Sequence, residues 1–231
     1  AVQLSENIGR ENVIKMAKSM GIRSPIINSP SLALGTSEVN LLELTAAYDV
    51  LANSGKGIFV HGIRSIENTS GKTLFMREGK GPGKILESEL VNTMIRMLEN
   101  TIQTGTGKNA KIDRPAAGKT GTSQSLRDAW FIGFTPELLI GVFIGFDEPS
   151  TLGKKETGSK AALPIFYDIM KEIKPNTFIP FFKPPETIKF EKINTDTGKK
   201  VFKSGRNIIN ESFKLDANID NYNSSQIMKE Y

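Results

Sequence analysis

The sequence predicts an α+β fold: an antiparallel β-sheet flanked by helices, followed by a C-terminal tail. Three features predict it. Apolar residues recur at helical spacing over 1–55, 88–103 and 161–173. Three short apolar runs separated by tight turns fill 115–145, and the texture becomes proline-rich and then polar after Lys174. A period near 3.6 marks a helix with one buried face, and alternation marks a half-buried strand.

In "RENVIKMAKSMG", Val13, Met16, Ala17 and Met20 fall at i, i+3, i+4 and i+7, and Gly21 supplies a C-terminal stop. "SPIINSPSLALGT" is a loop punctuated by proline and serine. "SEVNLLELTAAYDVLANSG" is a second helix, with Ser37 as its expected N-cap and Gly55 just past its end. The period then changes: "IFVHGIRSIEN" and "KTLFMRE" flank "TSG", a hairpin signal over 58–77. "SELVNTMIRMLENTIQ" returns to helix, with Ser88 as the expected N-cap and Leu90, Val91, Met94, Ile95 and Leu98 apolar. "TGTGKNAKIDRP" is a glycine-rich loop.

The runs 115–122, 129–134 and 138–145 are joined by "SQSLRD" and "TPE", which makes them an antiparallel meander. "AALPIFYDIMKEI" is apolar at helical spacing and should pack on one face of that sheet. Beyond it, "KPNTFIPFFKPPE" reads as a connector, "TIKFEKINTDTGKKVF" as one more hairpin, and "LDANIDNYNSSQIMKEY" as polar enough to be flexible. The expected division is a main body over 1–174 and a connector, hairpin and tail over 175–231.

Composition narrows the chemistry. The chain has 231 residues, a net charge of +5 and a pI near 9.3, with no dense Lys/Arg run interleaved with stacking aromatics, which argues against nucleic acid. Cysteine is absent and there is one histidine, His61, so thiolate chemistry and multi-histidine metal ligation are excluded. His61 lies in an alternating stretch and no G-x-S-x-G elbow exists, so it is expected to be a polar residue on a strand surface. No stretch approaches eighteen apolar residues. The start, "AVQLSENIGREN", is neither a signal peptide nor a start-methionine terminus, and it reads as a chain entered in mid-helix.

Glycine-flanked lysines raise the question of a phosphate loop. "GTGKNA" has Ile102 where the upstream glycine should be and Asn109 in place of the hydroxyl; "GPGKIL" has Glu78 and Ile85 there. Neither is a P-loop. "AAGKTGTSQSLRDAWFIGFTP" differs because its G-K-T-G-T opens a strand. Alternation puts Thr120 and Thr122 on one face, with hydroxyls about 7 Å apart. Lys119 supplies positive potential, and Gly121 lets a bound peptide lie against the backbone. Those parts can grip a terminal carboxylate and stabilise a developing oxyanion. An ordinary polar edge strand carrying a chance K-T-G is the alternative.

The stretch "AAGKTGTSQSLRDAWFIGFTP" closely resembles the K-T-G region of the penicillin-binding proteins, serine acyltransferases that cross-link peptidoglycan. "PSLALGTSEVNLLELTAAYDVLANSG" and "GTGKNA" also resemble this family, in family order. The match looks most like class A, in which a glycosyltransferase domain precedes the transpeptidase, and "INTDTGKKV" resembles the end of such chains.

The family uses three motifs, S-x-x-K, S-x-N and K-T-G. No serine here has lysine three positions on, and the single S-x-N match, Ser5-Glu6-Asn7, reads as a helical coincidence. The resemblance therefore implies the C-terminal half of a transpeptidase domain, entered just after S-x-N. It implies D,D-transpeptidation and acylation by β-lactams, with Lys119 supplying electrostatics and proton traffic. Thr120, Gly121 and Thr122 would bind the substrate, and the Thr122 N–H would be one oxyanion donor. The implied partners are peptidoglycan stem peptides, the lipid-linked precursor and the other half of the domain. No metal or organic cofactor is implied. A five-stranded sheet is implied, its first strands lying outside this chain, as is a location on the outer face of the cytoplasmic membrane through an N-terminal anchor also outside it. A scaffold protein that kept the K-T-G strand, or a basic module for nucleic acid or lipid, are the rival readings.

Overall fold

The computed structural model describes residues 1–79, 81–173 and 184–217, and the first part of the chain is helical. α1 (Val2–Ile8) and α2 (Arg10–Ser19) meet at Gly9, whose φ of 85° is open to a residue without Cβ. The expected loop after α2 contains a 3₁₀ turn, Pro30–Leu34, on which α1 packs.

α3 (Leu41–Ala52) is capped by Asn40 and not by Ser37. The Asn40 side chain accepts from Glu43 N at 2.9 Å, and Glu43 Oε1 accepts from Asn40 N at 3.2 Å. This reciprocal box satisfies two orphan N–H groups at once, which Ser37 could not do. Ser37 Oγ instead accepts from Ile27 N. Gly55 closes the helix as expected, its N–H donating to Val50 O at 2.7 Å.

β1 (Lys56–Gly57), β2 (Ser65–Glu67), β3 (Thr73–Met76) and β4 (Gly83–Lys84) make two small antiparallel pairs, β1 with β4 and β2 with β3. The hairpin expected over 58–77 is thus present but shorter. Residues 58–64 have no strand opposite them, so His61 is not on a strand; it is exposed, with Nδ1 2.9 Å from Phe59 O. Every residue from Ile58 to Met76 is exposed.

α4 (Ser88–Gln103) starts one residue earlier than its expected cap allows. Ser88 is its first helical residue and Glu87 holds the cap position, where a carboxylate suits the positive end of the helix dipole. α4 leads through the glycine-rich loop to β5 (Ala117–Thr122), β6 (Ala129–Phe134) and β7 (Leu139–Ile144), an antiparallel sheet in that order. A π-turn over Gly158–Ala162 then opens α5 (Leu163–Glu172).

Each face of this sheet has its own core. On one face Phe131 packs against Phe166, the rings tilted with centroids 4.9 Å apart, among Ala129, Ala162, Leu163 and Met170. On the other, Ala117 and Phe134 pack with Val50 and Leu51 of α3 and Val91, Ile95 and Leu98 of α4. The architecture is therefore α+β, with α5 on one side of the sheet and α3 and α4 on the other.

β8 (Ile188–Asn194) pairs with β9 (Ile208–Lys214) over seven residues. The hairpin expected within 187–202 is replaced by this longer one, and only a single bridge, Ile193 to Lys200, survives of it. "KKVF" is too short to satisfy seven residues of β8, whereas "IINESFK" matches it in length. The pair docks on α4: the Arg96 guanidinium lies 4.8 Å above the Phe190 ring, and Lys214 Nζ lies 3.5 Å from Glu89. Most of the proline-rich connector, 174–183, and the tail from 218 onward lie outside the described residues.

Candidate active site

Lys119, Thr120, Gly121 and Thr122 all lie on β5, at the edge of the sheet. Register settles which way each points. Thr120 faces Phe131 and Thr122 faces Ala129 across the ladder, and directly opposed residues share a face. The two threonines therefore lie together on the α5 side. Lys119 and Gly121, opposite Ile132 and Trp130, lie on the side of α3 and α4.

The backbone alternates in the same way. Ser123 N donates to Asp128 O at 3.1 Å, which makes that couple a hydrogen-bonded pair. Alternation makes Thr122 with Ala129, and Thr120 with Phe131, non-hydrogen-bonded pairs. The N–H and C=O groups of Thr120 and Thr122 consequently point away from β6, to an edge that no strand covers among the described residues. An extended peptide could add there by main-chain hydrogen bonds. Lys119 Nζ uses one of these groups, donating to Thr120 O at 2.9 Å.

Neighbouring elements reach this edge from both ends. From the glycine-rich loop, the Thr106 hydroxyl lies 2.9 Å from that of Thr120. From the π-turn, Gly158 N donates to Thr122 Oγ1 at 3.0 Å. A Cβ on Gly158 would sit 2.3 Å from Gly121 O, so only glycine lets the turn press so closely on the strand. Gly121 is tight on its own face too, since a Cβ there would lie 3.0 Å from Trp130 Cβ. Trp130 in turn packs against Phe143, the rings tilted with centroids 4.7 Å apart.

Ser5, Glu6 and Asn7 lie within α1, where Glu6 pairs with Arg10 at 3.2 Å. Thr106, Trp130 and Gly158 were not singled out by the sequence. A cleft of about 630 Å³ between α4 and β9 is lined by Arg96, Glu99, Arg114 and Glu211 among others, and takes no residue from β5. Among the described residues no group of three or more acidic, histidine or cysteine side chains is placed to hold a metal ion. No helix among them is long and apolar enough to cross a membrane.

The family model for the penicillin-binding protein transpeptidase domain matches residues 5–171. The chain belongs to this family. It is 34% identical over 224 residues to penicillin-binding protein 1A of Rickettsia typhi, covering 87% of this chain and 28% of that protein. It is 39% identical over 194 residues to penicillin-binding protein 1A of Aquifex aeolicus, covering 81% of this chain and 26% of that protein. The crystal structure of penicillin-binding protein 1A from Haemophilus influenzae superposes with a TM-score of 0.81 at 26% identity, over 93% of this chain and 38% of that one. The chain thus spans little more than a quarter of the length of these curated relatives, and its likeness to them is a likeness to the transpeptidase part of a class A penicillin-binding protein.

Proposed function

We propose that this chain is the K-T-G-bearing, C-terminal part of a peptidoglycan D,D-transpeptidase domain that cross-links stem peptides through a serine acyl-enzyme and is acylated by β-lactams. The open edge of β5 carries the reading. It offers two hydroxyls, a lysine and outward-pointing N–H groups along one extended line, which suits the terminal carboxylate and backbone of a D-Ala-D-Ala peptide.

In this reading Thr120 and Thr122 hold the carboxylate and the Thr122 N–H donates to the oxyanion. Lys119 stabilises charge and helps proton movement at the reacting centre. The serine that forms the ester and releases the terminal D-alanine lies in sequence outside this chain. Two observations support that last point. No serine here is followed three residues on by lysine. Leu90, Met94 and Met97 also form a stripe on α4 that is 52%, 41% and 50% exposed, an apolar face suited to cover by the rest of a domain. The complete protein would work at the outer face of the cytoplasmic membrane, anchored by a segment outside this chain.

The test is labelling with a fluorescent penicillin, read on a denaturing gel. The full-length protein should carry a covalent band, and the 231-residue chain alone should carry none. A band on the chain alone would refute the missing nucleophile. Absence of a band on the full-length protein would favour a scaffold that kept the K-T-G strand without the chemistry.

A further inference from the structure

Both threonines of the β5 edge already have one hydrogen bond from the protein. Gly158 N–H donates to Thr122 Oγ1, which uses a lone pair and leaves the Thr122 proton free to be donated. The Thr106 and Thr120 hydroxyls are 2.9 Å apart, a distance at which either oxygen can be the donor. A carboxylate removes that ambiguity because it only accepts. With an anion at Thr120, the arrangement that satisfies all three groups is Thr106 donating to Thr120 and Thr120 donating to the anion. Hydrogen bonds in such a chain polarise and strengthen one another.

We infer that Thr106 is a positioning residue for the carboxylate site: its hydroxyl donates to Thr120 and turns the Thr120 proton toward the ligand, as Gly158 N–H does for Thr122. The inference rests on the carboxylate-binding role proposed above for the two β5 threonines.

The loop is built to hold Thr106 still. Thr104 N donates to Asn100 O at 2.9 Å and Gly107 N to Thr101 O at 3.0 Å, so the end of α4 anchors both flanks. A Cβ on Gly105 would lie 2.9 Å from Thr101 Cα and from Thr101 O. Glycine before Thr106 therefore lets the loop close on the helix and present the one hydroxyl to β5. Thr106 is itself exposed, so its replacement leaves the core intact.

The experiment measures second-order acylation of the full-length protein by a penicillin and by its methyl ester, for wild type, Thr106→Val, Thr106→Ser and Thr120→Val. Thr106→Val should slow the acid by about three- to tenfold, the span of a modest hydrogen bond, and leave the ester unchanged. Thr106→Ser should restore the acid, and Thr106→Val should have no further effect in a Thr120→Val background. If Thr106→Val slows acid and ester alike, or leaves the acid untouched while Thr120→Val selectively slows it, Thr106 does not position the site. If Thr120→Val itself slows acid and ester equally, the carboxylate reading of the threonines fails, and the role of Thr106 falls with it.

Discussion

Lys119 is exposed, and its ammonium lies against the carbonyl of the next residue, on the outer edge of β5. A cation so placed has a short path to any anion that docks along that edge. If Lys119 acts as proposed above, Lys119→Ala in the full-length protein should lower the rate of acylation by a penicillin by about two to three orders of magnitude, the loss for one preorganised electrostatic group at a reacting centre. Stopped-flow rates within a few-fold of wild type would remove Lys119 from the chemistry. This residue and its two threonine neighbours were legible in the sequence because strand alternation is local: once 117–122 is a strand, Thr120 and Thr122 must share a face. Thr106 and Gly158 were not legible. They reach β5 from 14 and 36 residues away, through a loop and a π-turn whose paths depend on the finished packing.

Among the elements, α3 shows how a side chain can fix a boundary. Burial raises the pKa of Glu43, but hydrogen bonds from the Ser24 hydroxyl and from the N–H groups of Arg23, Ser24 and Asn40 outweigh it and lower the value from 4.5 to about 2. The carboxylate thus ties the start of α3 to the loop after α2. Because the folded-state pKa lies below the unfolded one, this contribution is complete above about pH 4.5 and is lost as the pH falls toward 2. Glu43→Gln should destabilise the chain by about 1 kcal/mol at neutral pH, the difference between charged and neutral acceptors. In thermal melts the gap to wild type should narrow as the pH drops through that window. A gap independent of pH would mean the charge contributes nothing. The helix itself was plain from its apolar period. Its true cap was not, because Ser37 and Asn40 are both good caps and only Glu43, three residues after Asn40, closes the reciprocal box.

At the scale of the molecule, the layers of α5, sheet, α3 and α4 contrast with the β2–β3 hairpin, which contributes nothing to either core. An isolated two-stranded hairpin is marginal in water, and the large apolar side chains of this one, Ile66, Leu74, Phe75 and Met76, remain exposed, as do Ile58, Phe59, Val60 and Ile63 just before it. Limited trypsin digestion of the 231-residue chain should therefore cut first at Arg64, Lys72 or Arg77, with the layered body surviving longer. First cuts inside α4 or β5 would show that the body is the weaker part. The meander was readable as a unit because its turns are short. The docking of β9 on α4 was not, since it joins Glu89 to Lys214 across most of the chain.

That last contact sets an order of events during synthesis. α4 emerges long before its partner strand, and the intervening stretch of about a hundred residues takes roughly 5–20 s to make at ordinary elongation rates. Throughout that interval the Arg96 face of α4 has no Phe190 beneath its guanidinium, and Glu89 has no Lys214 to meet it. The sheet, α3 and α5 can all settle while the ribosome is still working, but this flank of α4 cannot. It is completed only when residues 188–214 have emerged, so this flank of the helix gains its cover well after the sheet, α3 and α5 are free to pack.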